Sequence, residues 1–415
     1  MLIERIELKN FRGVSEADIA LNGKSAVFFG VNGSGKSTIL KAVNLLFSNI
    51  INRIVNNRFK QGINIEVIDI MNGKSEAKVE AEFLFAQKSI TYYRTMERGN
   101  KARKHSADIV DIVKTFQELY TMPEATNMPV FINYSVNRLV IDVPLRINKK
   151  HEFDKLAAFE KAIESKIDFR TFFEWFRNQE DIENATVVET NNFNYKDNSL
   201  LAVKRAVTTT LEGITDVRVR RRPLSMEVKR NGRFYRLEQL SDGEKCTLAL
   251  VGDIARRLAL ANPYSDNSNH GSGVVLIDEI ELHMHPIWQR RILSVLAELF
   301  PNIQFMITTH SPQILGEAGE EYQIFNVSMH QDRFAIKQYH ALDGWSSNEI
   351  LEELMGTSEV SLEAKKAFSS LFQLIDDGKY DEAEEITGFL EKKSYPNNPD
   401  IINARMLIQK GRRGL

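Results

Sequence analysis

An α/β fold organised around a phosphate-binding loop is what this sequence predicts, and three observations predict it. An apolar run at residues 26–29 leads into Gly30-Val31-Asn32-Gly33-Ser34-Gly35-Lys36-Ser37-Thr38. A second apolar run, residues 274–277, ends in Asp278-Glu279, and a third, residues 305–309, ends at His310-Ser311-Pro312. Short runs that are apolar throughout fit parallel strands buried on both faces, and ligands gather at the carboxyl ends of such strands.

Taken in order, residues 2–9 alternate apolar and charged positions, and residues 18–21 repeat the pattern after Asn10-Phe11-Arg12-Gly13, which predicts a strand pair joined by a turn. The first buried strand follows. Residues 30–37 then read GxxxxGKS, and apolar positions at helical spacing from Ile39 to Leu46 supply the helix that this motif requires. Glycines let the backbone curl so that successive N–H groups face one phosphate chain. Lys36 adds a positive charge, and Ser37 a hydroxyl for a magnesium ion. A nucleoside triphosphate is the expected ligand.

Residues 63–96 alternate again on either side of Asn72-Gly73-Lys74, so a small antiparallel sheet is expected with its turn there. The basic cluster from Arg98 to His105 reads as a solvated loop. Residues 129–134 form a compact apolar strand followed by Ser135-Val136-Asn137-Arg138. From Phe153 to Phe176 aromatic and aliphatic positions recur every three or four residues, the pattern of two helices burying an aromatic face. Strands return after Asp216, and Asn231-Gly232 marks a hairpin; Arg218, Arg220, Arg221 and Arg222 read as a charged, exposed strand edge. Between Lys36 and Ser241 there are no sustained heptads, hence no long coiled-coil arm.

Leu240-Ser241-Asp242-Gly243-Glu244-Lys245 precedes a helix at 248–260, offering a second set of free N–H groups for phosphate. At the end of the second buried strand Asp278 is placed to hold the magnesium and Glu279 to activate water. His310, at the end of the third, can hydrogen-bond a γ-phosphate. His283-Met284-His285 has the spacing of a strand or loop rather than of one helical face, so no zinc site is expected beside Glu279 and Glu281.

Composition narrows the class. The chain has 415 residues, 43% of them hydrophobic, which is ample for a packed core. Lys plus Arg number 54 against 56 Asp plus Glu, so any nucleic-acid contact must come from a local patch. A single cysteine, Cys246, excludes a disulfide framework within the chain and fits a reducing compartment. With no long apolar span and no signal-like start, a cytoplasmic protein with no membrane partner is expected.

The combination resembles the ABC-type ATPases, and among them the group of Rad50, RecF, SMC heads and OLD-like proteins. That resemblance implies a P-loop NTPase fold of ABC-ATPase type, a mixed sheet with an antiparallel β-subdomain and a helical insertion. Arg12 matches the group's arginine that reaches the nucleotide. Asn32, Gly33, Ser34, Gly35, Lys36, Ser37 and Thr38 match its ATP loop. Ser241, Gly243 and Glu244 match the signature that caps the same γ-phosphate from a second subunit. By resemblance Ser37 and Asp278 are magnesium ligands, Glu279 the general base and His310 the switch histidine. The family's Q-loop glutamine is not evident, and residues 135–138 occupy its expected place. The stretch from Gly273 to Trp288, with residues 300–305 and 308–312, is further similar to the ATPase subunits of Septu-type anti-phage systems (PtuA) and their solitary relatives. This implies homodimers or higher homo-oligomers, an HNH-type nuclease partner, and control of that effector by ATP.

The organisation expected is an N-terminal ATPase lobe at 1–150, a helical insertion at 151–215, a C-terminal ATPase lobe at 216–355 and, at 356–415, a helical hairpin like one tetratricopeptide unit. The competing reading is a RecF- or SMC-like ATPase acting directly on DNA in repair or end processing, which requires a basic groove. A membrane-importer ATPase has about 100 residues between the two phosphate motifs, whereas this chain has about 200. A nuclease in the same chain lacks any HNH pattern to support it.

Overall fold

The computed structural model describes residues 1–55, 63–99, 104–105, 109–122, 128–136, 153–164, 167–330, 333–339, 342, 345–356, 362–393 and 398–413. They fall into two compact units, Met1–Trp345 and Ser346–Leu415.

Among its described residues the first unit holds three sheets. An antiparallel sheet in the order β2-β1-β4-β5-β6 is built from β1 (Leu2–Phe11), β2 (Val14–Ala20), β4 (Glu76–Phe85), β5 (Lys88–Glu97) and β6 (Lys104–His105). A mixed sheet runs β14-β13-β3-β12-β11-β7, with β3 (Ser25–Phe29), β7 (Val130–Tyr134), β11 (Gly273–Ile277), β12 (Ile303–Thr309), β13 (Tyr322–His330) and β14 (Arg333–Tyr339). Its strands are parallel except for the β13–β14 hairpin. Every residue of β7, β11 and β12 is buried, as their unbroken apolar runs require. A small antiparallel sheet in the order β10-β9-β8 joins β8 (Ile214–Arg221), β9 (Leu224–Arg230) and β10 (Arg233–Arg236).

Helix α1 (Lys36–Ile54) ties the first two sheets together through Phe47, whose ring stacks on Phe131 of β7 at 4.1 Å and tilts against Phe83 of β4 at 5.8 Å. Gln304 adds a polar tie: its amide takes the place of a neighbouring strand, accepting from Ile3 N–H at 2.6 Å and donating to the carbonyls of Ile3 and Lys24. The remaining helices of this unit are α2 (Ile109–Thr121), α3 (Phe169–Thr190), α4 (Asn198–Thr210), α5 (Asp242–Ala261), α6 (Pro286–Gln289), α7 (Ile292–Leu299) and α8 (Pro312–Leu315). Among the described residues no helix is long and apolar enough to cross a membrane.

Several expectations change on this scaffold. Residues 67–69 form a single tight turn rather than a strand, and the hairpin of this region closes instead at Ala86-Gln87. Both turn residues adopt positive φ, 48° and 64°, without the glycine or asparagine that usually announces such a turn, so the sequence carried no signal for it. The Asn231-Gly232 hairpin forms as its residues demand, with φ of 50° and 77°. Of the two aromatic helices expected at 153–177, the first is only a short 3-10 turn at Lys155–Phe159, while Phe159, Phe172, Phe173 and Phe176 are core. Arg218 and Arg220 share the buried Glu227, and Arg221 pairs with Glu180 and Asp181, so each of the three arginines is engaged by a carboxylate. Arg98 donates to the carbonyls of Lys74 and Ile70, and residues 100–103 of its basic cluster lie outside the described residues.

The second unit begins with α9 (Ser347–Glu349), continued by a π-helical turn at Ile350–Leu354, and then has three helices where a hairpin was expected: α10 (Leu362–Asp376), α11 (Tyr380–Lys393) and α12 (Pro399–Arg412). Gly378 turns the first pair at φ 73°. The third helix adds Ile401, Ala404 and Ile408 to the core of Leu371, Ile375, Ala383 and Leu390, covering the apolar face that two helices leave open.

Candidate functional site

The carboxyl ends of β3, β11 and β12 bring three segments together. Residues 30–35 wrap the first of these and lead into α1, and two of their glycines are there for a steric reason. At Gly30, φ 147°, a Cβ would lie 2.0 Å from the Val327 carbonyl oxygen, and at Gly35, φ 107°, it would lie 3.0 Å from the Phe334 ring. Lys36 is buried, and its Nζ curls back to donate to the carbonyls of Gly30 and Val31 at 2.9 and 3.0 Å. Burial pulls its ammonium below the ordinary lysine range, against the opposing charges of Glu279, Asp278 and Glu281. Ser34 Oγ is buried with no hydrogen-bond partner among the described residues. Asn32 and Gly33 are exposed at the tip of the loop, and Thr38 donates its N–H to the Gly35 carbonyl at 3.0 Å.

Opposite the loop, Asp278 follows β11 directly. Its Oδ1 accepts from Ser37 Oγ at 2.9 Å and from Thr308 Oγ1 at 2.6 Å, so one carboxylate oxygen joins the loop helix to the neighbouring strand. Glu279 adopts φ 47°, a left-handed conformation that a non-glycine residue takes at a cost, and its N–H is held by Thr308 Oγ1 at 2.8 Å. The His310 Nε2 stands 3.9 Å from Glu279 Oε1. Burial, and then the nearby Lys36, hold the His310 imidazole below its usual range, with Glu281, Glu279 and Asp278 pulling the other way. The predicted residues Lys36, Ser37, Asp278, Glu279 and His310 thus share one corner. Thr308 and Glu281 belong to it as well; their roles had no signal beyond position beside the motifs.

Arg12 sits in the β1–β2 turn at φ 55°, and its guanidinium is held by the buried Asp69 at 2.8 and 2.9 Å. The next two positions bring that turn to the scaffold of the loop, since a Cβ at Gly35 would also lie 3.8 Å from Val14.

Ser241 begins α5 in a capping box: its Oγ accepts from Glu244 N–H at 3.3 Å, and its own N–H reaches Glu244 Oε2 at 2.9 Å. Arg230 pairs with the other oxygen of Glu244. None of the described bonds joins Ser241, Gly243 or Glu244 to residues 30–38, so the structure does not bring the signature onto the loop of its own chain. Gly243 instead packs on the turn after Glu279, where a Cβ would lie 2.6 Å from the His283 carbonyl oxygen. Of the Q-loop positions, Asn137 and Arg138 lie outside the described residues. His285 caps α6, and no group of three or more potential metal-ligating His, Cys, Asp or Glu occurs among the described residues.

Behind the site, Tyr134 serves both sides. Its carbonyl accepts Asp278 N–H at 2.9 Å, and its hydroxyl donates to Asp253 of α5 at 2.8 Å. Asp253 is wholly buried between Arg256 and Arg257, at 2.6 and 2.8 Å. Burial alone would push its carboxyl up; the two guanidinium groups overturn that and hold it well below the carboxylate range.

A family described as "AAA domain, putative AbiEii toxin, Type IV TA system" matches residues 25–316. The chain is 27% identical to the Retron Ec83 probable ATPase of Escherichia coli, over 98% of this chain and 86% of that one. It is 30% identical to the Retron Vc95 probable ATPase of Vibrio cholerae, covering 78% and 73%. With the Septu protein PtuA of Bacillus thuringiensis it shares 21% identity over 96% of both chains. Among solved structures, an Smc head bound to the C-winged helix domain of ScpA shares the fold at a TM-score of 0.51, with 16% identity, over 82% of this chain and 98% of that one.

Proposed function

The chain belongs to the family described as an AAA domain, putative AbiEii toxin, and is related to the retron probable ATPases, and from that premise we propose that it is an ABC-type ATPase of the Rad50 and SMC kind that hydrolyses ATP at sites completed by a second copy and thereby controls an effector nuclease of the HNH type in anti-phage defence, in the cytoplasm. The observation that carries the ATP half is the corner where Ser37, Asp278, Thr308, Glu279 and His310 meet the curled loop. Backbone N–H groups of the loop and the start of α1 face the phosphates, and Lys36 leaves its two carbonyls to reach them. The Ser37 hydroxyl and the Asp278 carboxylate, already 2.9 Å apart, fit a magnesium ion. A magnesium ion held there would offset charge on the phosphate oxygens. Glu279 takes a proton from the attacking water, and His310 donates to the γ-phosphate.

What Ser241 does in its own chain supports a shared site. Its hydroxyl is part of a helix cap, and none of the described bonds joins it to residues 30–38, which supports a role toward the phosphate of another copy. The nuclease partner rests on the likeness to Septu PtuA over nearly the whole of both chains. Direct action on DNA draws little support from Arg218, Arg220 and Arg221, each of which is engaged by a carboxylate of its own chain. A mixing experiment tests the shared site. Lys36→Ala and Ser241→Arg subunits, each inactive alone, should regain hydrolysis when mixed, because one composite site is then intact. No recovery at any ratio, with subunit exchange verified, would overturn it.

A further inference from the structure

Glu281 stands two positions past Glu279, where the chain turns from β11 toward α6. One oxygen of its carboxylate, Oε1, accepts the backbone N–H of His310. The other, Oε2, is buried and has no hydrogen-bond partner among the described residues. The segment is pinned to the end of β12 by two more bonds, Glu279 N–H to Thr308 Oγ1 at 2.8 Å and Ile280 N–H to the Thr308 carbonyl at 3.2 Å. Those two hold Glu279. The bond to Glu281 is the one that holds His310, whose N–H points off the end of the strand with no ladder partner to take it.

The other side of His310 is fixed as well. Ser311 Oγ donates to Gln289 Oε1 at 2.7 Å, and Gln289 Nε2 donates to the Met284 carbonyl at 2.9 Å. Met284 N–H in turn donates to the Glu281 carbonyl at 2.8 Å, which closes a ring of bonds around the histidine. The imidazole itself is 3.9 Å from Glu279, beyond hydrogen-bond reach, and no hydrogen bond from its ring is seen among the described residues, so its aim depends on the backbone.

We propose that Glu281 is a positioning residue for hydrolysis: its carboxylate anchors the backbone of His310 and thereby aims the imidazole at the phosphate beside Glu279. This rests on the reading of Glu279 and His310 given above. The charge of Glu281 is also felt at Lys36 and His310, where it opposes the effect of burial. An alternative role, supporting Lys36 and ATP binding, therefore makes a different prediction.

The test uses the full chain with Glu281→Ala, Glu281→Gln, His310→Ala and the double variant Glu281→Ala/His310→Ala, measuring equilibrium ATP binding and steady-state hydrolysis. Glu281→Ala should lower kcat by about 10²-fold, as expected when a reacting group is misplaced, with the ATP Kd changed by no more than about twofold. Glu281→Gln should keep most of the activity, because its amide oxygen accepts the same N–H. In the His310→Ala background, Glu281→Ala should cost nothing further. Losses that multiply in the double variant, equal losses for Gln and Ala, or a parallel loss of ATP binding would each overturn the proposal. Full activity in His310→Ala would remove the reading of the site together with it, whereas a His310→Ala loss with multiplying effects removes the role of Glu281 alone. Should Glu281→Ala fail to fold, the Gln variant and its combination with His310→Ala decide the matter, since a requirement for charge would then appear as a loss independent of His310.

Discussion

Thr308 Oγ1 donates to Asp278 Oδ1 at 2.6 Å while accepting the N–H of Glu279 at 2.8 Å, so one hydroxyl on β12 orients both carboxylate residues at the end of β11. Neither carboxylate residue is a neighbour of Thr308 in the chain. Their alignment depends on the parallel register that sets Ile277 beside Ile307.

Thr308→Val keeps the shape of that hydroxyl residue and removes its hydrogen bonds. Loss of a group that orients a metal ligand typically weakens metal binding by about 10- to 100-fold. The magnesium concentration needed for half-maximal hydrolysis should rise by that order. An unchanged magnesium requirement would show that Asp278 holds its orientation without Thr308.

Glu279→Gln and Lys36→Ala should separate chemistry from binding. The first removes the base and leaves the phosphate contacts, so hydrolysis should fall by about 10²- to 10⁴-fold with ATP binding retained. The second removes a charge that faces the phosphates and should weaken binding itself. Equal nucleotide affinity in Lys36→Ala and the unsubstituted protein would refute its assignment.

Asp253→Asn should be among the most damaging substitutions in the chain, although its side chain is wholly buried and bonded only to Arg256, Arg257 and Tyr134 among the described residues. Removing one partner of a buried ion pair costs about 3–5 kcal/mol because the remaining charges, here Arg256 and Arg257, stay buried. Since the folded carboxyl titrates below its unfolded value, its contribution is full above about pH 4 and is lost as pH falls from there toward the folded value. Denaturant unfolding should therefore show a smaller loss of stability below pH 4 in Asp253→Asn than in the unsubstituted protein.

A chain ending at Trp345 should fold and hydrolyse ATP, because the tail has its own core from Leu371 to Ile408 and the site lies wholly in residues 1–345. If the tail docks the effector, the shortened chain should no longer co-purify with it. Aggregation, or loss of the melting transition, would show instead that the tail is needed by the ATPase core.

Much of this molecule is set by short-range order that a sequence displays directly. The strand, loop and helix around Gly30–Thr38 and the apolar strands that end in Asp278 and His310 need only local periodicity and glycine chemistry. So does the Asn231-Gly232 hairpin. Tertiary structure decided the rest, for reasons that spacing along the chain cannot carry. Thr308 and Glu281 matter because parallel pairing of β11 and β12 sets residues about 30 positions apart side by side. Arg12 meets Asp69 only because the turn at 66–71 folds against the end of β1, and the Ala86-Gln87 hairpin forms because packing of two long strands outweighs a turn without glycine. The third tail helix, whose apolar positions are sparse, is specified by the open face of the other two, and a helix gains its place there by burial rather than by its own pattern.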